Sequence, residues 1–238
     1  FLDYDLGIPV GHFFELMKFF SVGFGGLPVN GMQSLPDQLF SQLTKDRVRL
    51  ETSVVAINGS RVELSSGEIL EARKIILALP QEVVCRLMDY PQPVQSRSSA
   101  CVYFAANNSP FELPALRLNA RTDHEIVKLI CIPTSIQPNY APKEKVLITV
   151  NLDPQFDYAN PEVRQTTHTE LVELFGRQVD QWEEIEYMRI PNALPDYQLH
   201  SHLEDMDYIA CGDYSSTPSI NNAFASGRIA ATKCLEDY

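Results

Sequence analysis

Apolar residues along this chain change their spacing twice, dividing it into a helical opening, a strand-rich middle and a strand–helix end. Between Gly11 and Phe20, the residues Phe13, Phe14, Met17 and Phe20 recur at helical intervals, which predicts one face of a helix packed on the core. Gly23, Gly25 and Gly26 stop that helix. Ser34 then stands as an N-cap with Pro36 and Asp37 in the first turn, and Leu35, Leu39 and Leu43 form the buried stripe of a second helix. From Arg47 the period falls to that of a strand. Val48 and Leu50, Val54 to Ile57, Val62 and Leu64, and Ile69 to Ala72 read as a small antiparallel meander, with Asn58-Gly59 and Ser65-Ser66-Gly67 at its turns. Lys74 to Leu79 is a nearly continuous apolar run, as expected of a strand buried on both faces, and Pro80 closes it.

Gln81 to Met88 reads as a short helix, and the Pro91 to Pro93 stretch marks a boundary. Ala100 to Ala105, Leu116 to Leu118, Ile126 to Ile132, Val146 to Leu152 and Ile185 to Ile190 predict one larger sheet. A helix is expected after Asn160, with Pro161 and Glu162 in its first turn, a stripe of Val163, Leu171, Leu174 and Phe175, and a stop at Gly176. A smaller sheet is expected to be shared by Val48 to Pro80 and Tyr208 to Asp213. The end of the chain is the most specific stretch. An apolar strand reaches Gly212-Asp213, a polar loop follows, and Ser219 caps a helix whose small residues permit close backbone approach. The free N–H groups of such a helix start favour an anion or an electron-rich ring edge, and Asp213 is placed to accept hydrogen bonds from sugar hydroxyls.

The segment Ile209 to Ala231, with Gly212-Asp213 and then Ser219-Ile220, Ala223 and Ser226-Gly227, resembles the C-terminal signature of the flavin-containing amine oxidase superfamily, most closely its phytoene-desaturase-like and protoporphyrinogen-oxidase-like branch. Gly31-Met32-Gln33-Ser34-Leu35-Pro36-Asp37-Gln38-Leu39 is similar to that family's helix entry, and Val48 to Pro80 to its strand, hairpin and strand ending in Ala-x-Pro. The resemblance implies an α/β protein, α+β within this stretch. A mixed-sheet substrate domain with flanking helices would accompany part of an FAD-binding domain. The implied layout is a substrate-domain helix in 1–30, cofactor-domain pieces in 31–80 and 204–238, and the substrate-binding domain in 81–203. It implies noncovalent FAD, with Val54 near the adenine, Gly212 and Asp213 at the ribityl-diphosphate, and Ser219, Ile220 and Ala223 at the helix start beneath the flavin ring. No catalytic side chain is assigned, since the flavin carries the redox chemistry.

The family's G-x-G-x-x-G fingerprint is not found, and Gly23-Phe24-Gly25-Gly26-Leu27-Pro28 reads as a turn. With the start at Phe1, this leads to the expectation of a C-terminal fragment that lacks the dinucleotide-binding βαβ unit, is inactive by itself, does not retain FAD and self-associates through uncovered strands. The expected activity of the intact protein is hydride transfer from a C–H bond of an amine, or of an apolar polyene or ring substrate, to flavin. Leu194-Pro195 tilts the expectation toward an apolar substrate. The alternative is a non-catalytic binding module that kept the scaffold and lost the cofactor.

Composition narrows the classes further. With 238 residues at 45% hydrophobic, a sizeable soluble core is affordable, while a charge of −12 and a pI near 4.8 argue against nucleic-acid partners. No stretch is long and apolar enough for a membrane span. Cys85, Cys101, Cys131, Cys211 and Cys234 are odd in number and without a C-x-x-C pair, which favours a reducing, cytoplasm-like compartment. His200 and His202 with Asp205 could be drawn as a metal site but lack a third ligand of defined position, so no metal is expected. A hydrolase triad is excluded by the want of a G-x-S-x-G elbow. Tyr103, Tyr140, Tyr187 and Tyr197 are read mainly as packing.

Overall fold

The computed structural model describes residues 10–23, 25–89, 96–195 and 208–236. In chain order the elements are α1 (Val10–Val22), α2 (Ser34–Phe40), β1 (Val54–Asn58), β2 (Arg61–Leu64), β3 (Ile69–Glu71), β4 (Ile76–Ala78), α3 (Gln81–Leu87) and β5 (Ser96–Ala106). They continue with β6 (Arg117–Leu118), β7 (Val127–Cys131), β8 (Val146–Leu152), α4 (Pro161–Phe175), β9 (Glu183–Pro195), β10 (Ile209–Cys211) and α5 (Ile220–Glu236).

The main core lies under the five-stranded antiparallel sheet, ordered β6-β7-β8-β5-β9. Strand period does the sorting. Ala100, Val102, Phe104 and Ala106 of β5 and Ile148, Val150 and Leu152 of β8 are buried on one face, where Leu171 of α4 and Val179 meet them. Trp182 lies 5.8 Å from both the Phe104 and Phe175 rings and closes this core at one end. The strands expected here all form, with β9 longer than expected: Leu194 and Pro195 are its last residues, paired to Arg97 and Ser96, and not a loop. α4 starts as its sequence dictates, with Asn160 Oδ1 accepting from the Glu162 amide at 2.9 Å and Pro161 in the first turn, and Gly176 ends it at φ 76°. Its buried face is less apolar than expected and includes Thr167 and Glu170.

Elsewhere several expectations are corrected. The meander β1-β2-β3 does not share a sheet with β4; instead β4 pairs in parallel with β10, Ile76 to Ile209 through Ala78 to Cys211, so the described residues form three sheets and not two. Val48 and Leu50 form no strand, and Leu50 is exposed. β4 is buried on one side only, through Leu77, since the short run alternates around it. Ser34 is the first residue of α2 and not its cap; Gln33 takes that place and its Nε2 donates to Asp37 Oδ1 at 3.1 Å.

The largest reversal concerns α1. Phe13, Phe14, Met17 and Phe20 share a face as predicted, but that face is 47%, 64%, 40% and 60% exposed, because the helix is held from its other side, where Thr217 Oγ1 donates to Glu15 Oε2. Leu39 and Leu43 are exposed as well. The anticipated fold class, a partial cofactor domain beside a separate substrate domain, gives way to a single mixed α/β arrangement. Its parts are tied by links such as Asn192 Nδ2 of β9 to Glu82 Oε1 of α3 at 3.3 Å and Tyr140 Oη to the Pro28 carbonyl at 2.7 Å. The described residues hold five α-helices, none long and apolar enough to cross a membrane. Pro91 to Pro93, Tyr197, His200, His202 and Asp205 lie outside the described residues.

Candidate functional site

Parallel pairing of β4 with β10 brings two strand ends to one place, where β4 leads through Leu79 and Pro80 into α3 and β10 leads into the turn at Gly212 and Asp213. After β4 come Pro80, Gln81 and Glu82; after β10 come Gly212 and Asp213. Asn192, Ala193 and Pro195 at the end of β9, Ser96 of β5, and Ala223 and Gly227 of α5 complete a cleft of about 380 Å³. Ligands in open parallel sheets gather at such carboxyl ends of strands, where helices leave the backbone room.

Of the residues singled out from the sequence, Gly212, Asp213 and Ala223 line this cleft. Ser219 is not in the lining; its Oγ accepts from the Asn222 amide at 3.1 Å, making it the cap of α5 as expected. Ile220, the first residue of α5, is 52% exposed. Val54 belongs to the separate meander and is not part of the lining either.

Gly212 has a packing reason to be glycine. Its φ of 170° is ordinary extended backbone, but a Cβ would lie 2.4 Å from Tyr214 Cε1. Tyr214 is fully buried beside Leu77 and Val84 and donates its hydroxyl to the Cys211 carbonyl at 3.2 Å. The ring therefore locks the turn that presents Asp213. Burial raises the Asp213 carboxyl above the usual carboxylate range; hydrogen bonds from the Asp213 and Tyr214 amides oppose this, and the nearby Glu82 charge adds to it.

Sequence reasoning missed the opposite wall. Ser96 Oγ donates to Asn192 Oδ1 at 2.5 Å, and Asn192 Nδ2 in turn donates to Glu82 Oε1, a relay spanning three elements. Gln81 is 2% exposed, lines the cleft, and its Oε1 has no hydrogen-bond partner among the described residues. Its place directly after Ala78-Leu79-Pro80 was the one available signal. No lysine or arginine is among the described lining residues. The wall is thus rich in acceptors and poor in cations. That chemistry fits the hydroxyl-bearing chain of a flavin nucleotide and does not fit its diphosphate.

A second cluster, Asp123, His124 and Glu173, has the composition of a metal site but not its electronics. Asn119 Nδ2 donates to the Val127 carbonyl and meets His124 Nδ1, each at 2.9 Å, while Asn119 Oδ1 accepts from the Arg121 amide. This fixes the amide, leaves Nδ1 as the acceptor and puts the imidazole proton on Nε2, which donates to Glu173 Oε2 at 3.0 Å. Arg121 reaches Asp123 at 2.6 Å and Glu173 at 3.1 Å, so both carboxylates are already engaged by one guanidinium, which offsets half of their charge. The cluster ties β7's approach to α4.

The profile of the family described as flavin containing amine oxidoreductase matches residues 7–235. Among solved structures, an oxidoreductase from Methanosarcina mazei superposes with a TM-score of 0.66 at 16% identity, covering 94% of this chain and 60% of that one. A protein provisionally named a protoporphyrinogen oxidase, from Exiguobacterium sp. 255-15, gives 0.65 at 20% identity over 87% of this chain and 51% of its own. Cyclohexylamine oxidase from Brevibacterium oxydans IH-35A gives 0.58 at 15% identity over 87% and 53%. At such identities the likeness is one of fold alone, and the chain spans about half to three-fifths of these proteins. No curated protein matches the sequence significantly. The match along 7–235 overturns the expectation of a C-terminal remnant defined by a missing dinucleotide unit, and with it the two-part fold class. That expectation rested on the absent glycine fingerprint and the start at Phe1, whereas the family model is matched along nearly all of this chain. The chain belongs to the flavin-containing amine oxidoreductase family.

Proposed function

We propose that this protein is an FAD-dependent oxidoreductase that takes hydride from a C–H bond of an amine, or of an apolar polyene or ring substrate, with the cofactor held noncovalently at the β4–β10 cleft. FAD, when bound, supplies the two-electron acceptor. The observation that carries the reading is the meeting of Gly212, Asp213 and Ala223 with a buried acceptor, Gln81 Oε1, that has no partner among the described residues, at one cleft. Asp213 accepts from ligand hydroxyls, its carboxylate steadied by the amides of its own turn. Ser219 and Ile220 act through the helix they start, and Ala223 and Gly227 keep that wall free of bulk. Val54 is assigned to the adenine side on the family resemblance. Burial raises the Cys211 thiol, a poor state for a nucleophile that would tether a flavin, which supports noncovalent binding.

The test is a titration of the purified protein with FAD, followed by flavin fluorescence. Replacing Asp213 by Ala should weaken binding by about 1.5–3 kcal/mol, the range for a lost charge-assisted hydrogen bond. Equal affinity of the two proteins sinks the assignment.

A further inference from the structure

The second carboxylate of the cleft, Glu82, stands outside the signature residues and comes from a different part of the chain than Asp213. It is half-buried on the first turn of α3, and the Ser96–Asn192 relay fixes one of its oxygens from the opposite wall. Asp213 is near enough for the two charges to interact. Gln81 adds a third acceptor, 2% exposed and without a donor among the described residues. A buried amide carbonyl left unpaired is costly, so a site that keeps one is built for an incoming N–H or O–H group. Two carboxylates and a carbonyl, with no described cation in the lining, repel phosphate and attract hydroxyls.

We propose that Glu82, positioned by Asn192, is a specificity-determining residue that, with Asp213 and Gln81, makes this cleft select the neutral polyhydroxyl chain of a flavin and turn its phosphate-bearing end away. The inference rests on the reading of the cleft as a flavin site and adds which part of the ligand it takes and what enforces the choice.

The probes are FAD, riboflavin (hydroxyl chain, no phosphate), FMN (the same chain ending in phosphate) and lumiflavin (ring without the chain), titrated into the full chain. Wild type should bind riboflavin more tightly than lumiflavin and no less tightly than FMN. Glu82→Gln keeps the shape and the link to Asn192 but removes a charge. It should shift the FMN-to-riboflavin affinity ratio toward FMN by about tenfold, the effect of one nearby like charge. Asn192→Ala should move the same ratio part of the way, which a loss confined to stability would not do, while Tm and circular dichroism report on folding. Ribitol should compete with riboflavin; competition by methylammonium in its place would make the acids a cation site and overturn the proposal. FAD binding with an unchanged ratio in Glu82→Gln refutes the role of Glu82 and leaves the cofactor reading intact. Binding of none of the four flavins removes both.

Discussion

Asp213 is held half-buried next to another acid, with its carboxyl raised above the ordinary range mainly by desolvation. A carboxyl raised in the folded state stabilises the fold fully only below its unfolded pKa, and that contribution is lost as pH rises through the raised value. Asp213→Asn should therefore raise Tm at pH 7, with the gain disappearing below about pH 4, where the unfolded carboxyl is itself protonated. Thermal melts at pH 3.5 and pH 7 check this, and a gain of equal size at both would point to packing and not to charge. This residue could be read from the sequence because strand, glycine and acid are adjacent. Glu82 and Asn192 could not, since 110 positions separate them and only the pairing of β9 beside α3 brings them together. For Gly212, which the resemblance places at the cofactor, the structure adds a packing reason: a Cβ there would meet Tyr214 of its own turn.

At the scale of elements, α4 and β7 are joined by a buried acid that no periodicity announces. Glu170 Oε1 accepts from the amides of Glu125 at 2.9 Å and Ile126 at 3.1 Å, and Oε2 from that of Val127 at 2.7 Å. Three backbone donors at the entry to a central strand thus have one side chain as their acceptor. Removing it in Glu170→Ala strands them in the core, for an expected loss of about 3 kcal/mol or more, while Glu170→Gln, which keeps one acceptor, should lose roughly half as much. Urea unfolding with an unchanged m-value measures both. In the sequence, Glu170 sits where a helical stripe calls for an apolar residue, and a lone acid in that register is indistinguishable from a solvated one. The start of the same helix was fully readable, because cap, proline and acid act within one turn.

For the whole molecule, the apolar pattern predicted the large core well and the exposure of α1 and α2 poorly. Alternation within a sheet states which residues share a face and, for β5 and β8, that face is buried. The stripe of α1 has the same clarity and the opposite fate, since periodicity says which side chains go together and nothing about what they meet. Phe13 and Phe14, with rings 5.7 Å apart, stand outward on that helix. The native protein should bind the dye ANS, with fluorescence falling at least twofold in Phe13→Ser/Phe14→Ser while far-ultraviolet circular dichroism holds, as expected for a contiguous exposed aromatic patch. Undiminished dye binding in the double variant would place the responsible surface elsewhere.

The two-stranded parallel sheet has a further implication, for the order of assembly. β4 and β10 pair residues 76 and 209, more than half the chain apart, the longest separation among the described strand pairs, whereas the meander and the β5–β8 pair close much shorter loops. Loop-closure entropy delays such a contact until the intervening segments have already collapsed. Both walls that carry Asp213 and Glu82 are therefore among the last parts to come together in folding, and the first to separate when the native state opens locally. A polyol bridging those walls would act as a clasp on that slow step, retarding unfolding far more than it speeds refolding.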